Sequence, residues 1–206
     1  MFILTKIADL VQIIPEDFEK EASQAIEDNI NAKYANRVIQ KIGLCICLYD
    51  LLSASEGLIG HGTGLVNVNV EFRLIVFRPF KHEVLTGKIS SATPEGIRIR
   101  TEFFKDILVP ANRLPQGSVF NDNEQVFTWV TEDATLYFDS HETVRIRVEE
   151  ETWHDQAPTK ATGGENDQDD GEKDKHAPYG IIASMEESGL GPCLWWDGGE
   201  EEEEES

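Results

Sequence analysis

Hydrophobic residues recur with helical spacing in one early stretch of the chain and with strand spacing elsewhere. After Pro15, one helical stripe collects most of the apolar side chains: Phe18, Ala22, Ala25, Ile26, Ile30 and Tyr34. Pro15 stands where a helix can begin, acidic residues follow it directly, and basic residues come near the end, as the helix dipole favours. The spacing therefore predicts one amphipathic helix from about Glu16 onward.

Strand patterns surround this helix: Met1–Lys6, Ile42–Leu52 and Leu65–Phe77. A glycine-rich connection, Leu58–Gly64, joins the last two. One helix and three strands in so short a stretch predict a small α+β unit that covers residues 1–80. Pro79 lies in the break in the pattern that marks its end.

The second half contains only short strand patterns, separated by turn residues: Glu83–Ser90, Gly96–Arg100, Asp106–Val109 and Thr143–Glu149. They predict a small all-β barrel within residues 81–198. An aromatic-containing insertion, residues 116–134, is expected to pack on the barrel. Tyr179–Met185 and Cys193–Trp196 are expected to form a returning hairpin that completes it.

Acidic residues dominate two segments near the end of the chain. Residues 155–177 hold seven acids and three bases, and Asp197–Ser206 adds seven acids, so these segments carry −11 of the net charge of −21. The sequence predicts a disordered excursion at 155–177 and an acidic tail at 199–206. The remainder is also acidic, so long-range attraction cannot by itself drive tight binding to phosphate.

The sequence contains no recognisable signature of a catalytic or metal-binding site. The three cysteines and five scattered histidines form no metal-ligand spacing, and buried thiols in a reducing compartment are expected. The stretch from Gly60 to Gly64 lacks the spacing and following helix of a dinucleotide loop. No nucleophile motif is present. We expect no catalytic residue, metal, cofactor or membrane span, and a hydrolase is disfavoured.

Alternating aliphatic and basic residues in one strand are the feature that indicates a possible binding surface. In Ile97-Arg98-Ile99-Arg100 the aliphatic side chains take one face of a strand and the arginines the other. The candidate nucleic-acid-binding residues are Lys88, Arg98, Arg100, Phe103, Lys105 and Arg113, with Phe104 as a second possible stacking platform. The competing interpretation is that the arginines pair with Glu102, Glu149 or Glu150 and only solubilise the surface, and spacing alone slightly favours it.

Several stretches resemble the larger stalk subunit of RNA polymerase III, whose family also includes the matching stalk subunits of the archaeal polymerase and of RNA polymerase II. The resemblance rests on these stretches: Met1–Val11, Ile42–Leu51, Val76–Phe80, Gly189–Gly191 and Leu194–Trp196. It covers the whole ordered chain, and the chain departs from the shorter members of the family by the 116–134 insertion and the acidic linker.

The resemblance implies an amino-terminal tip domain with a truncated RNP-like fold and a carboxy-terminal OB-fold domain. It also implies a nuclear, non-catalytic subunit that pairs with a smaller stalk partner, docks on the polymerase III core and supports initiation at small non-coding RNA genes. Initiation factors are possible further partners, and nascent RNA is expected to bind weakly. The docking loop would be Gly60, His61, Gly62, Thr63 and Gly64. The alternative is a free OB-fold RNA-binding protein that acts on transcripts or ribosomes.

Overall fold

A computed structural model describes residues 1–131, 134–155 and 177–196 of the 206-residue chain. The chain divides into two compact units, Met1–Pro79 and the residues from Phe80 onward. The first combines a sheet with a helix and the second is all β, which confirms the predicted α+β class with a β-barrel in the second half. Within the described ranges, no helix has the length and apolar character needed to cross a bilayer.

The amino-terminal unit is built on an antiparallel sheet. Its strands are β1 (Phe2–Ile13), β2 (Arg37–Ile39), β3 (Gly43–Ala54), β4 (Leu58–Ile59) and β5 (Val66–Phe77). The order is β1-β5-β3-β2, and the short β4 pairs with the start of β5. The first strand extends to Ile13, well beyond the predicted Lys6, because its alternation continues and pairs with β5 along its full length.

The helix, α1, runs from Ala22 to Tyr34 and begins later than predicted. Pro15 starts only a three-residue 3-10 turn, and Phe18 remains 50% exposed. The helix is held by the burial of Ala25, Ile26 and Ile30 against the sheet, and Phe18 contributes nothing to that core. The early acidic residues therefore lie outside the first helical turn.

A polar cluster fixes the end of α1 to the first strand. Tyr34 Oη donates a 2.7 Å hydrogen bond to Asp9 Oδ2, and Lys33 donates to the same oxygen. Burial alone would raise the pKa of Asp9, but these two hydrogen bonds outweigh it and lower the pKa. Burial and the Asp9 contact together raise the pKa of Tyr34 to about 12. At neutral pH, Asp9 is therefore ionised and Tyr34 is neutral, so the tyrosine hydroxyl keeps the proton that it donates.

The second unit contains a closed five-stranded barrel. Its strands are β6 (Val84–Thr93), β7 (Gly96–Arg100), β8 (Ile107–Pro110), β12 (Thr143–Trp153) and β13 (Tyr179–Ser184). The order is β13-β8-β7-β6-β12, and β12 pairs with β13 to close the ring. All pairings are antiparallel except β13 with β8. This is the arrangement of an OB-fold, filled by alternate inward side chains such as Ile97, Ile99 and Ile146.

The insertion forms a separate three-stranded sheet. Its strands are β9 (Ser118–Asn121), β10 (Val126–Val130) and β11 (Thr135–Tyr137), in the order β11-β10-β9. Trp195, near the end of the described chain, has its ring 5.4 Å from that of Trp129 and 4.8 Å from that of Phe138. The carboxy-terminal aromatic residues thus anchor this added sheet.

The prediction that Tyr179–Met185 and Cys193–Trp196 form a hairpin is wrong, because these two segments do not pair with each other. Strand β13 and the short β14 (Gly191–Pro192) do not pair with each other, because both pair with β12 at different points along its length. The long β12 offers room for both partners. The predicted excursion at 155–177 falls mainly on residues 156–176, and the acidic tail falls on 199–206; both stretches lie outside the described residues.

Candidate nucleic-acid interface and docking loop

Four of the predicted basic residues lie on or beside the outer face of the barrel. Lys88 of β6 stands directly opposite Arg100 of β7, and Arg98 lies two residues before Arg100 on the same face. The inward neighbours Ile97 and Ile99 are fully buried, so the strand alternation forces both arginines outward. Lys105 precedes β8 beside this face.

The next feature of this face is the charge balance around its four cations. Among the described residues, neither Lys88, Arg98, Arg100 nor Lys105 forms an ion pair. Lys6, by contrast, binds Glu71 at 2.8 Å, and Lys20, Lys33, Arg73 and Arg147 also bind acids, whereas Arg37, Lys41 and Lys81 form no ion pair among the described residues. A protein with 39 acids and 18 bases has ample carboxylates for every cation. Lys88, Arg98, Arg100 and Lys105 are therefore available to a ligand on one face of the barrel.

Arg147 shows the solubilising alternative. Its Nε donates a 2.7 Å hydrogen bond to Glu149 Oε1, and its guanidinium also contacts Glu187. Burial alone would raise the pKa of Glu149, but the contact with Arg147 outweighs it and lowers the pKa. Arg147 is thus structural, and the ion-pairing interpretation that spacing favoured holds for this arginine but not for Arg98 and Arg100.

The basic residues are divided between two cavities. The first, of about 370 Å³, is lined by Lys88 and Arg100 together with Thr86, Thr143 and Glu102. The second, of about 250 Å³, is lined by Arg98, Lys105, Leu108, Ile182 and His154, among others. The structure therefore brings Lys88 and Arg100 together and places Arg98 with Lys105.

The aromatic and remaining basic candidates have different surroundings. Phe103 is 42% exposed at the surface, whereas Phe104 is buried against Tyr179, with ring centroids 5.5 Å apart, so Phe104 is no stacking platform. Arg113 lies in a 3-10 turn after β8 and lines neither cavity. Its charge instead helps to lower the pKa of Glu149.

The sequence did not identify the two threonines that line the first cavity beside Lys88 and Arg100. Thr86 and Thr143 come from β6 and β12, and the register that places Thr143 opposite Lys88 is decided only by the closure of the barrel. The outward arginine of β12, Arg145, stands opposite Thr86. Strand alternation signalled that Arg145 points outward, but not which residues it would stand beside.

The candidate docking loop is the tip of a tight hairpin between β4 and β5. The Gly60 amide donates a 2.8 Å hydrogen bond to the Leu65 carbonyl, and Thr63 Oγ1 donates to the Gly60 carbonyl at 3.3 Å. Gly62 has a φ of 79°, which favours glycine, and a Cβ added there would meet nothing within 4 Å. The loop is therefore preorganised, and its tip projects into open space.

Two apolar residues beside this loop escaped the sequence analysis. Leu58 and Ile59 are 69% and 75% exposed, the latter among the most exposed large hydrophobic residues of the described chain. They form β4 and pair with Asn67 and Val66 of β5, so the hairpin presents them at a fixed geometry. The signal that could have identified them is an apolar pair directly before a glycine-rich turn.

The cysteines and other titratable groups suggest no reaction chemistry. Cys45 is fully buried, and burial raises the pKa of its thiol to about 11, so the thiolate that would act as a nucleophile is scarce. Cys47 is only partly buried because the pairing of β3 with β5 is irregular between these cysteines. In the part of the chain that the structure describes, no three His, Cys, Asp or Glu residues are placed to hold a metal ion.

A helix-backed sheet and a closed barrel with the strand order of an OB-fold define a two-domain α+β protein. Comparison with known families gives two matches. Residues 83–196 match the family described as RNA polymerase III subunit Rpc25, and residues 8–64 match the SHS2 domain found in N terminus of Rpb7p/Rpc25p/MJ0397. The chain belongs to the Rpc25 family of RNA polymerase III stalk subunits.

Individual relatives agree with this assignment over nearly the whole chain. The DNA-directed RNA polymerase III subunit rpc8 of Schizosaccharomyces pombe is 41% identical, and the alignment covers 95% of this chain and 100% of that one. The RPC8 subunit of Bos taurus is 39% identical over 95% and 98%, and that of Saccharomyces cerevisiae is 37% identical over 96% and 100%. These relatives support the polymerase interpretation over a free OB-fold RNA-binding protein.

Proposed function

We propose that this chain is a non-catalytic stalk subunit of DNA-directed RNA polymerase III, which acts in the nucleus and supports initiation at genes for small non-coding RNAs. The observation that carries the proposal is the similarity to polymerase III subunits over both units of the chain. The inert thiol and the unpaired surface cations fit a role in binding rather than in nucleotide addition.

Docking on the polymerase core would use the hairpin of residues 58–64. The glycines keep its tip narrow, and the internal hydrogen bonds of Gly60 and Thr63 keep it ordered before binding. Leu58 and Ile59 then supply the apolar contact area that a polar glycine loop lacks. The proposal is thus that this hairpin enters a groove of the core enzyme as a preformed unit.

A smaller partner subunit would cover apolar surface on the amino-terminal unit. Phe2, Leu4 and Leu10 lie on one face of β1, and each is exposed by more than 40%. β1 is also an edge of the sheet, since only its β5 side is paired within the described residues. Exposed apolar side chains on an open edge strand favour coverage by another chain.

Weak contact with nascent RNA would use the outer face of the barrel. Lys88, Arg98, Arg100 and Lys105 are available there, and tethering to the polymerase would raise the local concentration of transcript. Phe103 could add a stacking surface.

The decisive experiment is purification of the tagged full-length chain from nuclear extract, followed by identification of the associated chains. We expect the polymerase III core and a smaller stalk partner in stoichiometric amounts, sedimenting as a complex far larger than 23.2 kDa. Initiation factors would be recovered in lower amounts. Recovery with ribosomes, or as an isolated monomer, would contradict the proposal.

A further inference from the structure

The first barrel cavity has features that a general RNA-binding surface does not require. It lies on the outer face of β12, β6 and β7, where Thr143, Lys88 and Arg100 stand side by side in register. Directly opposed residues of neighbouring strands have Cβ atoms about 5 Å apart, so the two cations act on the same small volume. At about 370 Å³ the cavity has the size of a small-ligand site.

Every residue that lines the cavity, apart from Gly87, has a polar or charged side chain, and the polar and aliphatic atoms of these residues contribute similar shares of the lining. Lysine, arginine and threonine side chains are donors to phosphate oxygens, and no aromatic or large aliphatic side chain lines the cavity. A nucleobase stacks best on an aromatic face, and none of the described residues that line this cavity is aromatic. The chemistry therefore suits the sugar-phosphate part of a nucleotide rather than its base.

Glu102 decides the class of ligand. Glu102 lines the same cavity as the cations, yet it forms no ion pair with them in the described structure. An ionised carboxylate only accepts hydrogen bonds and repels phosphate, so a bare phosphate site would be better without it. A ligand that carries a phosphate and a neighbouring hydroxyl donor satisfies both parts of the lining. The ribose 2′-hydroxyl is such a donor, and it distinguishes RNA from DNA.

We propose that this cavity is a ribonucleotide subsite, in which Lys88 and Arg100 bind a backbone phosphate and Glu102 accepts a hydrogen bond from the ribose 2′-hydroxyl. The inference rests on the proposed RNA contact and makes it specific: the barrel prefers RNA to DNA and is indifferent to base sequence. Thr86 and Thr143 donate to the remaining phosphate oxygens. Arg98 lies two residues from Arg100 on β7, and it would contact the next part of the RNA strand as that strand runs towards the second cavity.

The test measures binding of the full-length chain to single-stranded oligouridylate and to oligodeoxyuridylate of equal length at low salt. We expect the parent to prefer RNA by roughly three- to tenfold, the net effect of one ordinary hydrogen bond at a site that remains accessible to solvent. Glu102→Gln and Glu102→Ala should bind both oligomers at least as tightly as the parent, because a negative charge is lost. Glu102→Ala should have little preference left, whereas Glu102→Gln keeps an acceptor oxygen and should retain part of the preference. Oligoadenylate should bind as oligouridylate does.

Glu95→Gln is the matched control. Glu95 lies in the exposed turn of the same β6–β7 hairpin, outside the cavity, and its replacement changes the net charge equally. It should keep the RNA preference. Lys88→Gln should weaken binding of both oligomers, whereas Lys81→Gln, an exposed cation outside the cavity, should have a smaller effect.

The outcomes separate this inference from the proposed function. Equal binding of RNA and DNA by the parent, or an unchanged preference in both Glu102 variants, overturns the subsite and leaves polymerase assembly untouched. Displacement of the oligomer by an equal concentration of uridine monophosphate would show that the cavity takes a free nucleotide, and would overturn the strand contact. Absence of binding to either oligomer at low salt would contradict the RNA contact itself, and assembly would still be judged by purification.

Discussion

Among single residues, Glu142 has a buried carboxylate oxygen that destabilises the folded state. Its Oε2 atom is buried and has no hydrogen-bond partner among the described residues. Burial, together with the nearby charge of Asp139, raises the pKa of Glu142 above its ordinary value of 4.5. The backbone of Glu142 is nonetheless useful, because its carbonyl accepts a 3.0 Å hydrogen bond from the Ile89 amide.

Glu142→Gln should stabilise the protein by at most roughly 1 kcal/mol at neutral pH, because it removes a partly buried charge that the backbone hydrogen bond from Asp139 compensates only in part. Since the folded pKa is raised, the ionised group destabilises the folded state at high pH. That cost is relieved as the pH falls through the raised pKa and is gone below 4.5. Urea unfolding should show the gain of the variant shrinking as the pH is lowered, while Glu150→Gln, an exposed control on β12, shows no such gain.

Gly62 provides a second test at this scale. Gly62→Trp should weaken docking on the polymerase core, because the indole would be too large for a groove that accepts the narrow tip. Gly62→Ala incurs the same left-handed backbone cost, about 1–2 kcal/mol, but adds only a methyl group in open space. Association of each variant with purified core enzyme is the measurement. Equal loss in both variants would point to backbone strain, and no loss in either would contradict docking through this loop.

At the element scale, the strands β6 and β7 form a basic hairpin in an acidic protein. Their inward residues close the barrel, so the outward positions are free to carry charge without cost to the core. The two outward arginines of β7 lie in different cavities, which means that a strand crossing this face would meet them one after the other.

Replacement of both Arg98 and Arg100 by glutamate should lower RNA affinity and its salt dependence. If each arginine neutralises one phosphate, the slope of log affinity against log salt falls by about 1.4 for a single strand. A matched double reversal at exposed positions outside both cavities, Arg37→Glu with Lys81→Glu, should change the slope less. The binding isotherms are best measured on the heterodimer over a salt series, and an unchanged slope in the first variant would mean that its arginines are only solvated surface.

At the scale of the whole molecule, the described fold ends with aromatic packing. Trp195 packs on the added sheet, and the Trp196 indole donates a 2.9 Å hydrogen bond to the Leu190 carbonyl. The six glutamates that follow a few residues later offer no apolar side chain to bury. Within the described residues, this aromatic packing is the last contribution to stability along the chain.

Deletion of Glu200–Glu205 should leave the melting temperature unchanged within error. Ordering each of these residues would cost roughly 1–2 kcal/mol without compensating burial. Trp195→Ala is the contrasting change and should destabilise the second unit by about 2 kcal/mol, less than for a fully buried tryptophan. Thermal unfolding followed by near-ultraviolet circular dichroism compares the two, and a marked drop on tail deletion would show that the tail packs on the fold.

Local pattern determined much of this protein by itself. Alternation in Val66–Phe77 and in Gly96–Arg100 identified strands and their buried faces, because a side-chain period of two leaves little choice once one face is apolar. It also identified the outward arginines. The start of α1 was misjudged because Phe18 matches the helical stripe by spacing, and spacing cannot show whether a side chain reaches the core.

Tertiary structure alone decided which of these residues meet. The closure of β12 on β6 places Thr143 beside Lys88, residues 55 positions apart in the sequence, and no local pattern specifies that register. The partner of each charge was decided in the same way, with Arg147 held by Glu149 and Glu187 while Arg98 and Arg100 remain unpaired among the described residues. Strand alternation acts over a few residues, whereas ion pairs and cavities depend on long-range pairing. The sequence therefore determined the faces of the barrel, and only its closure determined the site.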